Sequence, residues 1–189
     1  MTQQNRASCA GVSERGWRGR LVPVPRPAGE PAFLTLRSGG PFSYFSATGA
    51  IETRDLSARD ASIGISTFGS ESYPFILPAE YTHVLVTRPG ASGVARWYLR
   101  TLPEEEIGVL ALSGETRGTG PTLLRWAGPC RTFAFTLEGN ENWTHLVCMD
   151  TGGRPMSAKQ EGGLRGRITL PVPGFVMVRS AGPWVLQPT

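Results

Sequence analysis

The sequence predicts an all-β protein made of two tandem, duplicated antiparallel β-sandwich modules, jelly-roll-like and of about seven strands each. Short apolar runs bounded by Gly, Pro, Asn or Asp recur along the chain, which is typical of strands joined by turns. Of the 189 residues, 24 are glycine and 16 are proline, and this composition disfavours long helices. The chain also resembles itself: a shift of 88 positions places Gly40-Pro41 on Gly128-Pro129, and an offset one shorter places Trp97 on Trp184.

This repeat predicts the domain organisation. Residues 1–18 are polar and without periodicity, so they are interpreted as a flexible tail. Module 1 covers residues 19–102, residues 103–106 form a linker, and module 2 covers residues 107–189. Because a module of about 80 residues buries too little surface to be more than marginally stable alone, we expect the two modules to pack against each other.

Each module contains seven runs with strand character. In module 1 they are residues 21–24, 33–37, 42–46, 62–67, 73–77, 83–87 and 95–101. In module 2 they are residues 107–112, 122–126, 132–137, 143–149, 164–170, 175–179 and 184–187. Alternation is clearest in the third run of module 2, where Phe133, Phe135 and Leu137 share one face. The short loops predict antiparallel pairing, because parallel strands need long crossovers.

Turn chemistry predicts one hairpin in particular. Gly139-Asn140 separates two strands of module 2, and both residue types tolerate the backbone angles of a tight turn. Such a hairpin would bring Cys130 and Cys148, which flank it, close together. In a reducing compartment we expect two free thiols rather than a disulfide.

Composition and charge narrow the functional classes. No run of 18 apolar residues is present, and the N-terminus lacks the apolar segment of a signal peptide, so a cytoplasmic protein is expected. The formal net charge is +4, from 19 basic and 15 acidic residues. The arginines are spread along the sequence, so nucleic-acid binding is not expected, since such surfaces usually show clustered basic residues among aromatics.

The second module carries a characteristic order of segments. An Asn-aromatic strand at residues 142–150 leads into Gly152-Gly153, a strand follows Gly162-Gly163, and the chain closes on Gly182-Pro-Trp184. This order resembles an uncharacterised β-sandwich module that is appended to many actinobacterial proteins and ends in a Gly-x-Trp strand, and the resemblance lies mainly in residues 117–189. The resemblance implies a non-enzymatic accessory or adhesion-like role and supplies no catalytic residues.

The motifs of enzymes and metal sites are not found. His83 and His145 each lie in a strand without a partner at metal-ligand spacing, so no metal or other cofactor is expected. A nucleophile elbow of the Gly-x-Ser-x-Gly type is missing. Glu138 and Glu141 would flank an exposed turn rather than a sugar cleft, which argues against glycosidase chemistry. A hydrolase of unknown type is therefore only the third hypothesis.

Tryptophans supply the candidate binding site. Trp97 and Trp184 match between the modules and are interpreted as core anchors, whereas Trp126 and Trp143 break the repeat. Exposed Trp and Arg are typical of binding hot spots. The candidate site residues are Trp126, Trp143, Asn140, Asn142 and Arg131. The leading hypothesis is a non-enzymatic protein that binds a protein partner. The alternative is a carbohydrate-binding module that stacks a sugar on Trp. A structural interpretation of these tryptophans also stays open, in which an unshared Trp fills the interface between the modules.

Overall fold

The computed structural model of the chain describes residues 11–40, 43–51, 59–68, 70–88, 95–157 and 159–189. The N-terminal half forms eight strands: β1 (Ser13–Gly16), β2 (Arg20–Pro23), β3 (Ala32–Ser38), β4 (Tyr44–Ala50), β5 (Arg59–Phe68), β6 (Ser72–Leu77), β7 (His83–Thr87) and β8 (Trp97–Thr101). The C-terminal half forms nine: β9 (Gly108–Val109), β10 (Thr116–Thr119), β11 (Thr122–Trp126), β12 (Arg131–Leu137), β13 (His145–Asp150), β14 (Lys159–Gly162), β15 (Arg165–Leu170), β16 (Gly174–Arg179) and β17 (Pro183–Pro188). A 3₁₀ turn at Glu104–Glu106 lies between β8 and β9 and joins the two halves.

The strands form four sheets. Sheet I has the order β2-β7-β4-β5, and sheet II has the order β1-β8-β3-β6. Sheet III has the order β13-β16-β11-β9, and sheet IV has the order β10-β17-β12-β15-β14. Every ladder between described strands is antiparallel except the short pairing of β9 with β11. The predicted all-β class is therefore confirmed. Among the described residues, none forms a helix with the length and apolar character needed to cross a membrane.

Each half is two sheets packed face to face over an apolar core. Between sheets I and II the core-facing residues include Leu34, Leu36, Phe45, Val84 and Trp97, all essentially without solvent exposure. A second core lies between sheets III and IV, with these buried members: Leu124, Trp126, Phe133, Phe135, Ile168, Val176, Val178, Trp184 and Leu186. Alternation explains this arrangement, because every second residue of a strand points to the same face.

The two halves also pack on each other, as the marginal size of each module predicts. The outer face of β3 and β6 contributes Phe33 and Ile76, which join a cluster with Phe175 and Met177 from the outer face of sheet III. The Phe33 and Phe175 ring centroids lie 5.1 Å apart. An ion pair between Arg154 and Glu80 (N···O 3.1 Å) borders the cluster. The four sheets consequently stack in the order I, II, III, IV.

Part of the strand order is similar in the two halves, but the constant shift of 88 does not align those strands and is wrong. By position in the sheets β1 corresponds to β10, β2 to β11, β3 to β12 and β8 to β17. Leu36 lies in β3 whereas Leu124 lies in β11, so the shift aligned strands of different sheets. Loops of unequal length change the offset along the chain. Trp97 and Trp184 do lie in corresponding strands, β8 and β17; that the halves arose by duplication stays a prediction.

Three strands were not expected from the sequence, and one hairpin is wrong. β1 lies inside the segment interpreted as a tail and pairs with β8, so residues 11–18 belong to the fold; residues 1–10 lie outside the described residues. β10 and β14 are short and polar, which hid them. β12 and β13 do not pair with each other: β12 pairs with β15 and β17, and β13 pairs with β16, so residues 138–144 cross between two sheets.

Candidate binding site

Trp126 is a core residue and not part of a binding surface. Its side chain is 1% exposed and packs edge-on against Phe133, with ring centroids 5.1 Å apart. The Cβ of any larger residue at Gly128 would lie 2.3 Å from its ring, so the turn after β11 is closed over the indole. The interpretation of Trp126 as a repeat-breaking residue came from the constant shift, which aligned β11 with the wrong strand. This part of the predicted site is therefore wrong.

Arg131 lies far from the other candidate residues. It begins β12, where its guanidinium donates a hydrogen bond to the Leu112 carbonyl (2.6 Å). The loop with Trp143 follows the opposite end of the same seven-residue strand, so about 20 Å separate the two. Arg131 fixes the loop before β10 and does not share a site with Trp143.

Trp143 is the exposed member of the predicted set. It lies in the crossing loop 138–144 and is 66% exposed. Asn140 precedes it and shapes the turn: its carbonyl accepts hydrogen bonds from the backbone N–H groups of Trp143 (3.0 Å) and Thr144 (2.9 Å). The Asn140 side chain also accepts one from the backbone N–H of Asn142 (2.9 Å). Asn140, Asn142 and Trp143 therefore form one compact, exposed tip, whose shape is fixed by the carbonyl and side chain of Asn140.

The base of this loop is held firmly. Gly139 has a φ of +151°, and a side chain there would meet the Thr144 hydroxyl at 2.3 Å, so only glycine fits. Ser180 donates a hydrogen bond to the Glu138 carbonyl (2.7 Å), and the Glu138 N–H donates to Pro183 (2.9 Å). These contacts fasten the loop to the turn between β16 and β17. Trp143 is thus presented on a fixed support.

A second candidate surface lies on the opposite half of the molecule, and the sequence analysis missed it. The outer face of sheet II forms an open cleft of about 750 Å³ whose floor includes Arg15, Arg37, Tyr98, Arg100 and Thr35. The ladders place Arg15 opposite Tyr98 and Tyr98 opposite Arg37, so these three side chains form a row across the sheet. Sheet III covers the β6 side of this face, and the β1 side is open.

Electrostatics of the cleft are dominated by arginine. Arg100 donates two hydrogen bonds to the Glu106 carboxylate (2.7 and 3.1 Å). That hydrogen bonding raises the pKa of Arg100 and lowers the pKa of Glu106, so the pair stays charged throughout the physiological range. The guanidinium of Arg37 lies 4.8 Å from the centre of the Tyr98 ring. One signal in the sequence could have revealed this face: Arg96, just before β8, alternates with Tyr98 and Arg100 within the strand.

The remaining reactive side chains are placed for structure. Cys148 lies in the core, and burial raises the pKa of its thiol to about 12, which keeps it protonated and unreactive. Cys130 is exposed at the turn before β12, and both thiols are free, as expected. His145 and Asp150 begin and end β13, so about 17 Å of strand separates them. No three His, Cys, Asp or Glu side chains of the described ranges gather in a way that could hold a metal ion.

Two comparisons with known proteins give no relative for this chain. A scan against protein-family models finds no match, and a search of curated proteins finds none either.

Proposed function

We propose that this protein is a non-enzymatic binding protein that engages a protein partner through the 138–144 loop. The observation that carries this proposal is the exposed Trp143 on a loop whose tip is shaped by three hydrogen bonds to Asn140 and whose base is held by hydrogen bonds of Glu138 with Ser180 and Pro183. Large aromatic residues are the commonest hot spots of interfaces, because one ring buries much apolar area with little loss of side-chain freedom.

The single exposed ring of the tip favours a protein partner over a sugar. A sugar-binding platform normally offers a shallow groove with several aligned rings, and no ring in the described ranges stacks beside Trp143. With Trp126 in the core, the carbohydrate alternative has only Trp143 left. A protruding ring flanked by the polar Asn140 and Asn142 is suited to insertion into a pocket of a partner, with the amides at the polar rim.

Site-specific photo-crosslinking tests this directly. A benzophenone amino acid at position 143 should capture one defined partner from cells, whereas the same probe at position 172 should not, since Val172 is also exposed but lies in the turn between β15 and β16. The purified partner is then titrated calorimetrically against wild type, Trp143→Ala and Val172→Ala.

We expect Trp143→Ala to weaken binding by about 2 kcal/mol or more and Val172→Ala to have little effect. Because Trp143 makes few contacts with its own fold, the melting temperature of the variant should stay close to wild type. Equal affinities, or a large loss of stability in Trp143→Ala, would contradict the proposal. Quenching of Trp143 fluorescence by a polysaccharide would replace the protein partner with the carbohydrate alternative.

A further inference from the structure

The open face of sheet II places four arginines around one aromatic ring. Arg96 and Arg100 lie two residues before and after Tyr98, so they point to the same side of the sheet. Arg15 and Arg37 lie directly opposite Tyr98 on the two neighbouring strands. Neighbouring strands are about 5 Å apart and alternate residues of a strand about 7 Å apart, so all four are nearest neighbours of the ring. We call this group the arginine cross.

Most of its positive charge is uncompensated. Arg100 is paired with Glu106, and Glu14 at the cleft edge is paired with Arg20 (3.2 Å). Within the described ranges, no carboxylate forms an ion pair with any of the other three arms of the cross. An open face with three guanidinium groups whose charge no carboxylate of the described ranges balances favours an anionic ligand, since charge-assisted hydrogen bonds are the strong ones.

Aromatic rings are interleaved with these charges. The guanidinium of Arg37 lies over Tyr98, and that of Arg96 lies 4.1 Å from the centre of the Trp17 ring. Trp17 follows β1 and is 45% exposed, so it extends the same face. Rings and guanidinium planes are the surfaces on which unpaired nucleobases stack, and a positive groove lined with them is the usual design for binding single strands.

The fold itself does not require this cluster. In sheet IV the corresponding outer face has Val185 opposite Arg117 and Thr136, in the places of Tyr98, Arg15 and Arg37. Of the three positions, only that of Arg15 has an arginine in sheet IV, namely Arg117, and this residue is paired with Glu115. Sheet IV has two further arginines on this face, Arg165 and Arg167, but their ladder partners are Thr136 and Ala134 and not an aromatic residue. Arginines arranged around a ring in one half alone are better explained by a ligand than by folding.

We propose that the open face of sheet II binds single-stranded nucleic acid. Phosphates contact Arg15, Arg37 and Arg96, while bases stack on the Tyr98 and Trp17 layer. The open cleft of about 750 Å³ is lined by Arg15, Arg37 and Tyr98 and is far larger than one small anion needs; Arg96 and Trp17 lie outside this lining and extend the same face. The arginines come from three strands that are distant in sequence, so composition alone could not reveal the cluster.

A duplex and an acidic peptide fit this face less well. A duplex keeps its bases stacked internally and would leave the aromatic rings unused. An acidic peptide would use the charges but gain nothing from the stacking layer. Fluorescence anisotropy on the full-length chain separates the three, using labelled oligo-dT and oligo-rU of about 12 nucleotides, a mixed-sequence duplex of the same length, and polyglutamate as competitor.

We expect the single strands to bind more tightly than the duplex, with the logarithm of the affinity falling linearly with the logarithm of the salt concentration. Tyr98→Leu, which keeps an apolar side chain on the strand, should weaken binding about fivefold or more. The double variant Arg15→Gln/Arg37→Gln should weaken binding. It should also reduce the slope of log affinity against log salt concentration by about 1.4, since each lost phosphate contact contributes about 0.7 for single strands.

Arg117→Gln is the matched control, because it removes an arginine from the corresponding strand of the other half, and it should bind as wild type does. Circular dichroism melts verify that each variant is folded. The proposal is overturned if wild type fails to bind at low salt, if the duplex binds better, if polyglutamate competes as well as oligonucleotide, or if the cross variants match Arg117→Gln. Trp143→Ala should leave oligonucleotide binding unchanged, so this proposal and the proposed partner site fail independently.

Discussion

Trp97 and Trp184, which lie in the last strand of each half, make equivalent contacts. The Trp97 indole N–H donates a hydrogen bond to the Arg18 carbonyl (2.8 Å), and that of Trp184 donates to Gly120 (3.0 Å). Each ring lies on a glycine of the edge strand, Gly16 or Gly118, where a Cβ would come within 2.5 or 2.3 Å of the ring. The pairing of Gly16 with Trp97 and of Gly118 with Trp184 in the ladders places them there.

Truncation of either tryptophan should therefore be costly. Trp97 is 0% exposed and Trp184 is 3% exposed, so we expect each Trp→Ala variant to lose about 3–5 kcal/mol of unfolding free energy. Gly16→Ala should also destabilise, because its new methyl group collides with the ring. In the Trp97→Ala background the same glycine change should cost much less, since the obstacle is gone. Urea denaturation of wild type, the two single variants and the double variant measures the coupling, and additive effects would show that the ring does not rest on Gly16.

At the scale of elements, Arg26 links the β2–β3 connection to the β6–β7 turn through hydrogen bonds. It lies between β2 and β3, and its guanidinium donates hydrogen bonds to the carbonyls of Leu77 (3.0 Å) and Pro78 (2.9 Å), and also to those of Ala79 and Tyr81. One side chain thus contacts four carbonyls at the end of β6 and in the turn that follows, three of them through the two N–H groups of Nη2. Burial lowers the pKa of Arg26, with the charge of Glu80 acting in the opposite direction.

Arg26→Met should consequently lower the free energy of unfolding by about 2 kcal/mol, because the charged donor is lost and its carbonyl partners are left without it. Chemical denaturation with Arg117→Met as the control measures this, since Arg117 is 77% exposed in its side chain and paired only with a neighbour. Similar midpoints for the two variants would show that water replaces the guanidinium without loss.

The sequence predicted elements with a strong apolar pattern and missed those without one. All fourteen predicted runs contain strand in the structure. β1, β10 and β14 escaped detection because their sequences are short and mostly polar, so they carry little hydrophobic alternation. Their pairing is decided by the neighbouring strand, which supplies the hydrogen-bond partners from a distant part of the chain.

The same reason limited what could be foreseen of the binding surfaces. The exposed loop at Trp143 was predictable, because a polar turn next to an aromatic is a local pattern. The arginine cross was not, since Arg15 and Arg37 meet Tyr98 only through the register of two ladders. Trp126 failed for the opposite reason: a local mismatch in an assumed repeat says nothing about burial, which depends on the packing of sheets III and IV.

At the scale of the whole molecule, the contact between the halves includes a polar border with a titratable group. His145 pairs with Arg179 across β13 and β16 on the outer face of sheet III, next to the apolar cluster shared by both halves. Burial lowers the pKa of His145, and the nearby charge of Arg179 lowers it further. Burial also lowers the pKa of Arg179, while Tyr73 of the N-terminal half acts in the opposite direction. The border therefore favours a neutral histidine.

Stability of the assembled molecule should depend on pH through this group. The unfolded chain binds a proton at His145 below about pH 6.5, whereas the folded chain resists that proton until the pH is lower. The stabilisation is therefore fully present above pH 6.5 and is lost as the pH falls from there through the lowered folded pKa. Between pH 7.5 and 5.5, wild type should lose more unfolding free energy than His145→Gln, in which this proton cannot bind.

Nuclear magnetic resonance gives the direct measurement, because the imidazole of His145 should titrate with a midpoint below 6.5 in the folded protein. A midpoint at or above 6.5, or identical pH dependence of the two chains, would show that neither burial nor Arg179 acts on this histidine. Arg179 and His145 reach each other because β13 and β16 pair, and they lie beside the cluster shared by the two halves, with Tyr73 of the N-terminal half near Arg179. The titration thus reports on whether the two halves stay packed together in solution, and a separation of the halves should return the midpoint towards 6.5.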